Sequence, residues 1–241
     1  MKTFDEMWRD LSIYLKVEKA LEQGFSNGKY TKVLAGYAKH VIGIDVSEDF
    51  FEIAKENLKD FNNIELMIMD ATNTNFADKS FDVLLNTSFH EFDLSGDIYT
   101  VDLELKRRIL KEMIRLSDTI VFVEPSEDAI TNELFTVFNP AERHSDRIKQ
   151  SNALIDEVMK QSGYELLEKG DTYNEDIFSS KEELEEEMLN WWADIKVPKD
   201  KNEKQEMIKQ INEILARAGM LEELKVIENV QYRVFRKKKV S

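Results

Sequence analysis

Cysteine is absent from the 241-residue chain. Its absence excludes disulfides, thiolate metal sites and cysteine nucleophiles. Histidine occurs three times, as His40, His90 and His144. They are scattered, without ligand spacing, so no metal site is expected. Proline (three) and glycine (eight) are scarce, and so little punctuation marks no linker and no second domain. No apolar run approaches the roughly 18 residues that cross a bilayer. Residues Met1 to Trp8 lack the apolar stretch of a signal peptide, so a cytoplasmic location with no membrane partner is expected. Positive charge is in deficit: 33 Lys and Arg against 48 Asp and Glu leave a net charge of -15. An acidic surface repels phosphate backbones, which disfavours nucleic acid as a partner. The basic end, Arg236 to Lys239, reads as a solvated tail.

What is present is enough apolar residue, 42%, to bury a sizeable core. The first half alternates β-rich runs with helical patterns. Val17 to Leu21 is strand-like and ends at Glu22, and Lys29 to Lys39 has helical spacing. His40 to Asp45 reads as a buried strand. Ser47 then caps a helix that places Phe51, Ala54 and Leu58 on one stripe. Ile64 to Met69 and Phe81 to Leu85 are the next strands, Leu103 to Leu116 an amphipathic helix, and Thr119 to Val123 a fifth strand. In the second half, Ile148 to Ser162 reads as a helix and Tyr164 to Leu167 as a strand. Lys181 to Trp192 and Glu203 to Ala218 read as charged helices, and Val226 to Phe235 as a last, antiparallel strand. The pattern predicts a doubly wound α/β fold: a mostly parallel seven-stranded sheet, an antiparallel last strand and a helical insertion before it, at about 179–220.

The chemistry concentrates in Glu22-Gln23-Gly24-Phe25-Ser26-Asn27-Gly28. A strand ends in an acid, and a glycine-rich turn opens a helix. Glycine lets the backbone approach a ligand closely, and a helix N-terminus favours negative charge. Asp45 follows at the end of the next strand, where a carboxylate can accept hydrogen bonds from ribose hydroxyls.

Glu22-x-Gly24-x-Ser26-x-Gly28 resembles motif I of class I S-adenosylmethionine-dependent methyltransferases, where Ser26 stands in the place of a central glycine. Lys29 stands where a dinucleotide fingerprint would have glycine. The resemblance continues through Ile42 to Ser47, Met69-Asp70-Ala71 and Phe81 to Asn86, and covers roughly residues 16–125. It implies a methyltransferase whose cofactor, S-adenosylmethionine, is contacted by Glu22, Gly24, Ser26, Gly28, Asp45, Val46, Asp70, Ala71 and Asn86. A serine serves this turn with an ordinary backbone angle, and Phe25 is either a wall of the site or an obstruction in it. In this reading the chain is one domain, with residues 1–15 a helical lid whose Phe4, Trp8 and Tyr14 either cover the cofactor or serve as packing, 16–125 the cofactor-binding core and 126–241 the acceptor-side half.

Ligands in open α/β sheets sit beyond the carboxyl ends of the strands, so Asn86 to Phe92 should line the acceptor side. His90 resembles the histidine that small-molecule methyltransferases often carry there. His90 is the expected base or positioning group, and Glu124, ending the fifth strand at the pocket rim, is the second candidate as a substrate-binding carboxylate. Phe135 to Ser145 reads as a loop that either covers the acceptor or is a core-anchored connection. Trp191 and Trp192 either anchor the insertion or line a pocket. The expected partner is a small-molecule acceptor, and the protein a monomer or homodimer. Two other readings stay open: a cofactor-binding module without turnover that serves a partner protein, and methylation of RNA or protein, to which Asn27 to Tyr30 bears a short likeness.

Overall fold

The computed structural model describes residues 2–87, 89–92, 101–140, 144–192 and 196–239. Chain order begins with a two-residue strand β1 (Lys2–Thr3), helix α1 (Phe4–Leu15), β2 (Lys19–Gln23), α2 (Lys29–Ala35), β3 (His40–Asp45) and α3 (Glu48–Asn57). It continues with β4 (Ile64–Ile68), β5 (Val83–Asn86), a single 3-10 turn (Phe89–Glu91), α4 (Leu103–Leu116) and β6 (Thr119–Pro125). The second half holds α5 (Ile130–Phe138), α6 (His144–Gln161), β7 (Tyr164–Ile177), α7 (Lys181–Asn190), α8 (Lys201–Arg217) and β8 (Lys225–Lys237).

Helix starts are set by short polar side chains. Thr3 and Glu6 form a reciprocal capping box on α1, Ser47 accepts from Phe50 N on α3, and Asp102 accepts from Leu105 N on α4. Each satisfies a backbone donor that the first turn cannot.

The strands form one sheet in the order β1-β7-β8-β6-β5-β2-β3-β4. β8 alone runs antiparallel, between β6 and β7. One sheet face packs Leu21, Ile42, Leu84 and Phe122 against Ile109, Leu110 and Met113 of α4 and Ile155 and Met159 of α6. The other packs Val41, Val83, Val121 and Val234 against Met7, Trp8 and Leu11 of α1 and Leu34 of α2. Near-continuous apolar runs in β5 and β6 follow from this two-sided burial. Chain order reverses between β2 and β5, which opens a crevice beyond their carboxyl ends.

The doubly wound reading holds, with five adjustments. The sheet has eight strands, because Lys2 and Thr3 pair with Thr172 and Tyr173 at the edge. β7 extends ten residues past Leu167, to Ile177, because it pairs with β8 along its whole length. That stretch is polar, so its strand character comes from pairing and not from composition. Residues 135–138, read as part of a loop, end a helix that begins at Ile130, His144 and Ser145 begin α6, and 141–143 lie outside the described residues. The β-branched and aromatic content of α5 and the lack of a capping side chain at Ala129 hide the helical spacing of Ile130, Leu134, Val137 and Phe138. Helix α2 stops at Ala35, before Gly36, and not at Lys39. The basic end is also less free than a solvated tail: Arg236 and Lys237 belong to β8.

Helices α7 and α8 form the insertion and share a separate core with α5, built on Leu134, Met188, Ile211 and Leu215. Trp192 packs on Phe135 and Phe138 at 5.5 and 5.3 Å, so the paired tryptophans anchor the insertion. Among the described residues, no helix is long and apolar enough to cross a membrane.

Leu84 is fully buried at the centre of β5. Leu84→Ala should cost about 2–5 kcal/mol, read by urea denaturation. The half-exposed Ile53→Ser should stay within about 0.5 kcal/mol. Equal costs would mean that β5 is not the centre of the sheet.

Candidate functional site

The turn after β2 is held in left-handed backbone. Gly24 has φ +78°, Ser26 +47° and Gly28 +84°. A side chain on Gly24 would meet Phe92 at 2.8 Å, and one on Gly28 would meet Leu58 at 2.7 Å. Both glycines are therefore required twice, by angle and by space. Ser26 departs from the ordinary angle expected of it. A left-handed angle costs a non-glycine residue about 1–2 kcal/mol. Asp45 offsets that cost: its Oδ2 accepts from Ser26 N at 3.0 Å and its Oδ1 from Ser47 N at 3.0 Å. Each oxygen keeps a further lone pair. Phe25 neither lines nor blocks the turn, since its ring is buried with Ala54 and Leu58 beneath α3.

Glu22 lies fully buried inside this turn. Thr31 Oγ1 donates to its Oε2 at 2.5 Å, while Oε1 has no hydrogen-bond partner. Neither side-chain polar atom of the buried neighbour Gln23 has one. Burial, reinforced by the charge of Asp45 and opposed by the Thr31 bond, pushes the Glu22 carboxyl up to about 8. Orphaned buried polar atoms beside a tight turn are the signature of a site that expects a polar ligand. Asn86 Nδ2 donates across to Gln23 O at 3.2 Å, tying β5 to the turn. At the rim, Val46 is 68% exposed, Asp70 is exposed with its Oδ1 accepting from Thr72 N at 2.7 Å, and the Ala71 methyl is in the core.

The second group stands beyond β5 and β6. His90 is 2% exposed and Glu124 1%. Glu124 Oε2 lies 2.6 Å from His90 Nδ1 and accepts from His90 N at 3.2 Å, while its Oε1 accepts from Phe89 N at 2.5 Å. This corrects the expectation of a carboxylate at the pocket rim: Glu124 is turned inward and holds His90. Burial opposes both charges, but each outweighs that cost for the other. Glu124 is held below the ordinary carboxylate range and His90 above the ordinary imidazole range. Lys106, buried in α4, donates to Phe89 O at 2.6 Å and His90 O at 2.9 Å. The sequence reading missed Lys106, although a lysine three and four residues before Ile109 and Leu110 falls on the apolar stripe of α4. It also missed Glu228 on β8, whose carboxyl burial pushes upward. The ring of Phe92 links the two groups, packing on Gly24 and stacking on Phe89 at 6.1 Å.

A reversed parallel sheet with an acid-ended glycine turn at the reversal, and a second acid at the end of the next strand, defines the class I methyltransferase fold. Residues 20–116, about two fifths of the chain, match the family model described as a methyltransferase domain. The chain is 37% identical over 84 residues to a demethylmenaquinone methyltransferase of Staphylococcus haemolyticus. That match covers 32% of this chain and 35% of the relative, so the two share only about a third of their lengths. Among solved structures, a protein of Bacillus halodurans C-125 superposes with a TM-score of 0.64 at 17% identity, covering 97% of this chain and 98% of that one. The N-methyltransferase NodS of Bradyrhizobium japonicum WM9, solved with S-adenosyl-L-homocysteine, gives 0.53 at 13% identity, covering 99% of this chain and 89% of that one. At such identities the superpositions speak for the fold alone.

Because folded Glu22 keeps its proton to about pH 8 while the unfolded chain releases it near 4.5, the folded state binds more protons between those values. Stability should therefore fall as pH rises from 4.5 through 8, by up to a few kcal/mol from this group. Glu22→Gln should gain on the wild type over that window in urea melts at pH 5 and pH 8. An equal pH dependence in both would show that Glu22 is charged in the folded protein.

Proposed function

We propose that this protein is an S-adenosylmethionine-dependent methyltransferase acting on a small molecule. The observation that carries it is the turn at the sheet reversal, where left-handed Gly24 to Gly28 is tied to Asp45 beside a buried, half-satisfied Glu22. Bound S-adenosylmethionine would supply a methyl group already activated on a sulfonium. The chain's part is to bind, orient and exclude water. The free lone pairs of Asp45 suit ribose hydroxyls. Glu22 Oε1 and the Gln23 amide suit the polar amino-acid end, and a cation there would restore the Glu22 charge. Gly24, Ser26 and Gly28 give the close backbone approach, Val46, Asp70 and Ala71 form the rim, and Asn86 fixes the floor through Gln23.

On the acceptor side, ionised Glu124 accepts the hydrogen bond from Nδ1–H of His90. Nε2 is then the atom left to take a proton from an acceptor hydroxyl or ammonium. Glu124 is a positioning residue in this scheme. Glu91, Glu228 and Asp176 all bear on the half-buried Tyr30, raising its phenol after burial does so first. That concentration of acids, with the net charge of -15, favours a neutral or cationic small molecule over RNA. The relative's name specifies demethylmenaquinone as its own acceptor, and the shared third is too little to bring that acceptor here.

A cofactor-binding module without turnover is the second reading. The contact of Phe92 with Gly24 favours it, because that ring crowds the turn.

Calorimetry with S-adenosylmethionine and S-adenosyl-L-homocysteine should show binding that Asp45→Ala weakens at least about tenfold, or 1.4 kcal/mol. No binding by the wild type would sink the proposal. With amine and hydroxyl acceptors, His90→Gln should lower kcat by about 10²–10⁴-fold and leave cofactor affinity unchanged. Cofactor binding with no turnover on any acceptor would favour the module.

A further inference from the structure

Two of the three histidines, distant in sequence, meet beyond the end of β5. We propose that His90, Glu91 and His144 form a three-ligand site for a divalent cation of the zinc class. Their donor atoms all lie within 4.8 Å of one another, and His90 Nε2 is 3.6 Å from Glu91 Oε1. The two imidazoles meet edge to face with centroids 5.0 Å apart. His144 is 6% exposed and stacks on Phe135 at 4.3 Å and 22°, which fixes its ring plane.

Zinc bonds of 2.0–2.1 Å in a tetrahedron set neighbouring ligand atoms about 3.3 Å apart. The set closes by up to about 1.5 Å of movement, and Glu91 can contribute to it, since its side chain is 40% exposed on a single 3-10 turn.

The surroundings have the form of a metal site. A histidine that ligates through one nitrogen normally donates its other N–H to a carboxylate, which fixes tautomer and orientation. Glu124 stands 2.6 Å from Nδ1 of His90, which turns Nε2 toward Glu91 and His144. Two imidazoles and one carboxylate suit zinc, cobalt, nickel or ferrous iron, whereas calcium and magnesium prefer all-oxygen sets. Three protein ligands leave a fourth position open, the pattern of a site that works on a bound molecule. Of the charged groups facing His90, Glu124, Glu91 and Glu228 attract a cation and Lys106 opposes it, although Lys106 is committed to two backbone carbonyls. Loading the site would turn His90 from proton acceptor to ligand. The inference stands on these side chains alone and does not require the methyl-transfer reading.

The test is a cobalt(II) titration of the chelator-treated full chain, followed by calorimetry and visible d–d absorption. We expect one ion per chain. Glu91→Gln and His144→Gln should each weaken binding at least tenfold, and Glu124→Gln by about 10–100-fold. His40→Gln, which removes the remote histidine, should change nothing. Asp45→Ala should lose the nucleoside cofactor and keep cobalt, which separates failure of this site from failure of the proposed function. Glu91→Gln decides the matter if His144→Gln unfolds, because a half-exposed side chain does not carry the fold. Cobalt bound equally by wild type and Glu91→Gln, or not bound by the folded wild type, overturns the proposal.

Discussion

The buried carboxylate of Glu124 is the constraint on which the acceptor side depends. It ends β6 inside the protein and accepts from Phe89 N, from His90 N and from the His90 ring. A buried charge is tolerated only when paired and hydrogen-bonded, and here three donors meet that condition. Lys106 reaches from α4 to the carbonyls of the same two residues. The segment after β5 is thus clamped between β6 and α4 by both its N–H and its C=O groups. Its one-turn helix is too short to hold itself, so its geometry belongs to Glu124 and Lys106. Removing either would leave the other polar groups buried without compensation, at a cost of several kcal/mol.

The cofactor side is organised by a second carboxylate, with the opposite logic. Asp45 is near the surface and, among the described residues, its carboxylate bonds backbone amides, one in the turn and one at the start of α3. It steadies a left-handed serine and keeps lone pairs available. Between these two acids, Phe92 touches Gly24 and Phe89, so the glycine turn and the histidine segment are in mechanical contact.

The second half serves the site from outside. Helices α5, α7 and α8 make their own core and are pinned to it by Trp192. Phe135 of α5, which packs on Trp192, also stacks on the ring of His144. The insertion is therefore connected, through one aromatic side chain, to the histidine pair.

The sequence by itself determined the alternation of strands and helices, the cap at Ser47, the bounds of β3 and α4, and the glycine turn followed by Asp45 at the end of the next strand. All of these depend on local rules: periodicity, short-range capping and glycine's backbone freedom. It could not determine that residues 168–177 are a strand, because polar residues become one only when β8 supplies the ladder. It did not show that Glu124 faces inward, that Lys106 closes the same loop, or that His144 reaches His90. Those are meetings between residues far apart in the chain. Which buried charge finds which partner depends on how the layers pack, and that was decided only by the tertiary structure.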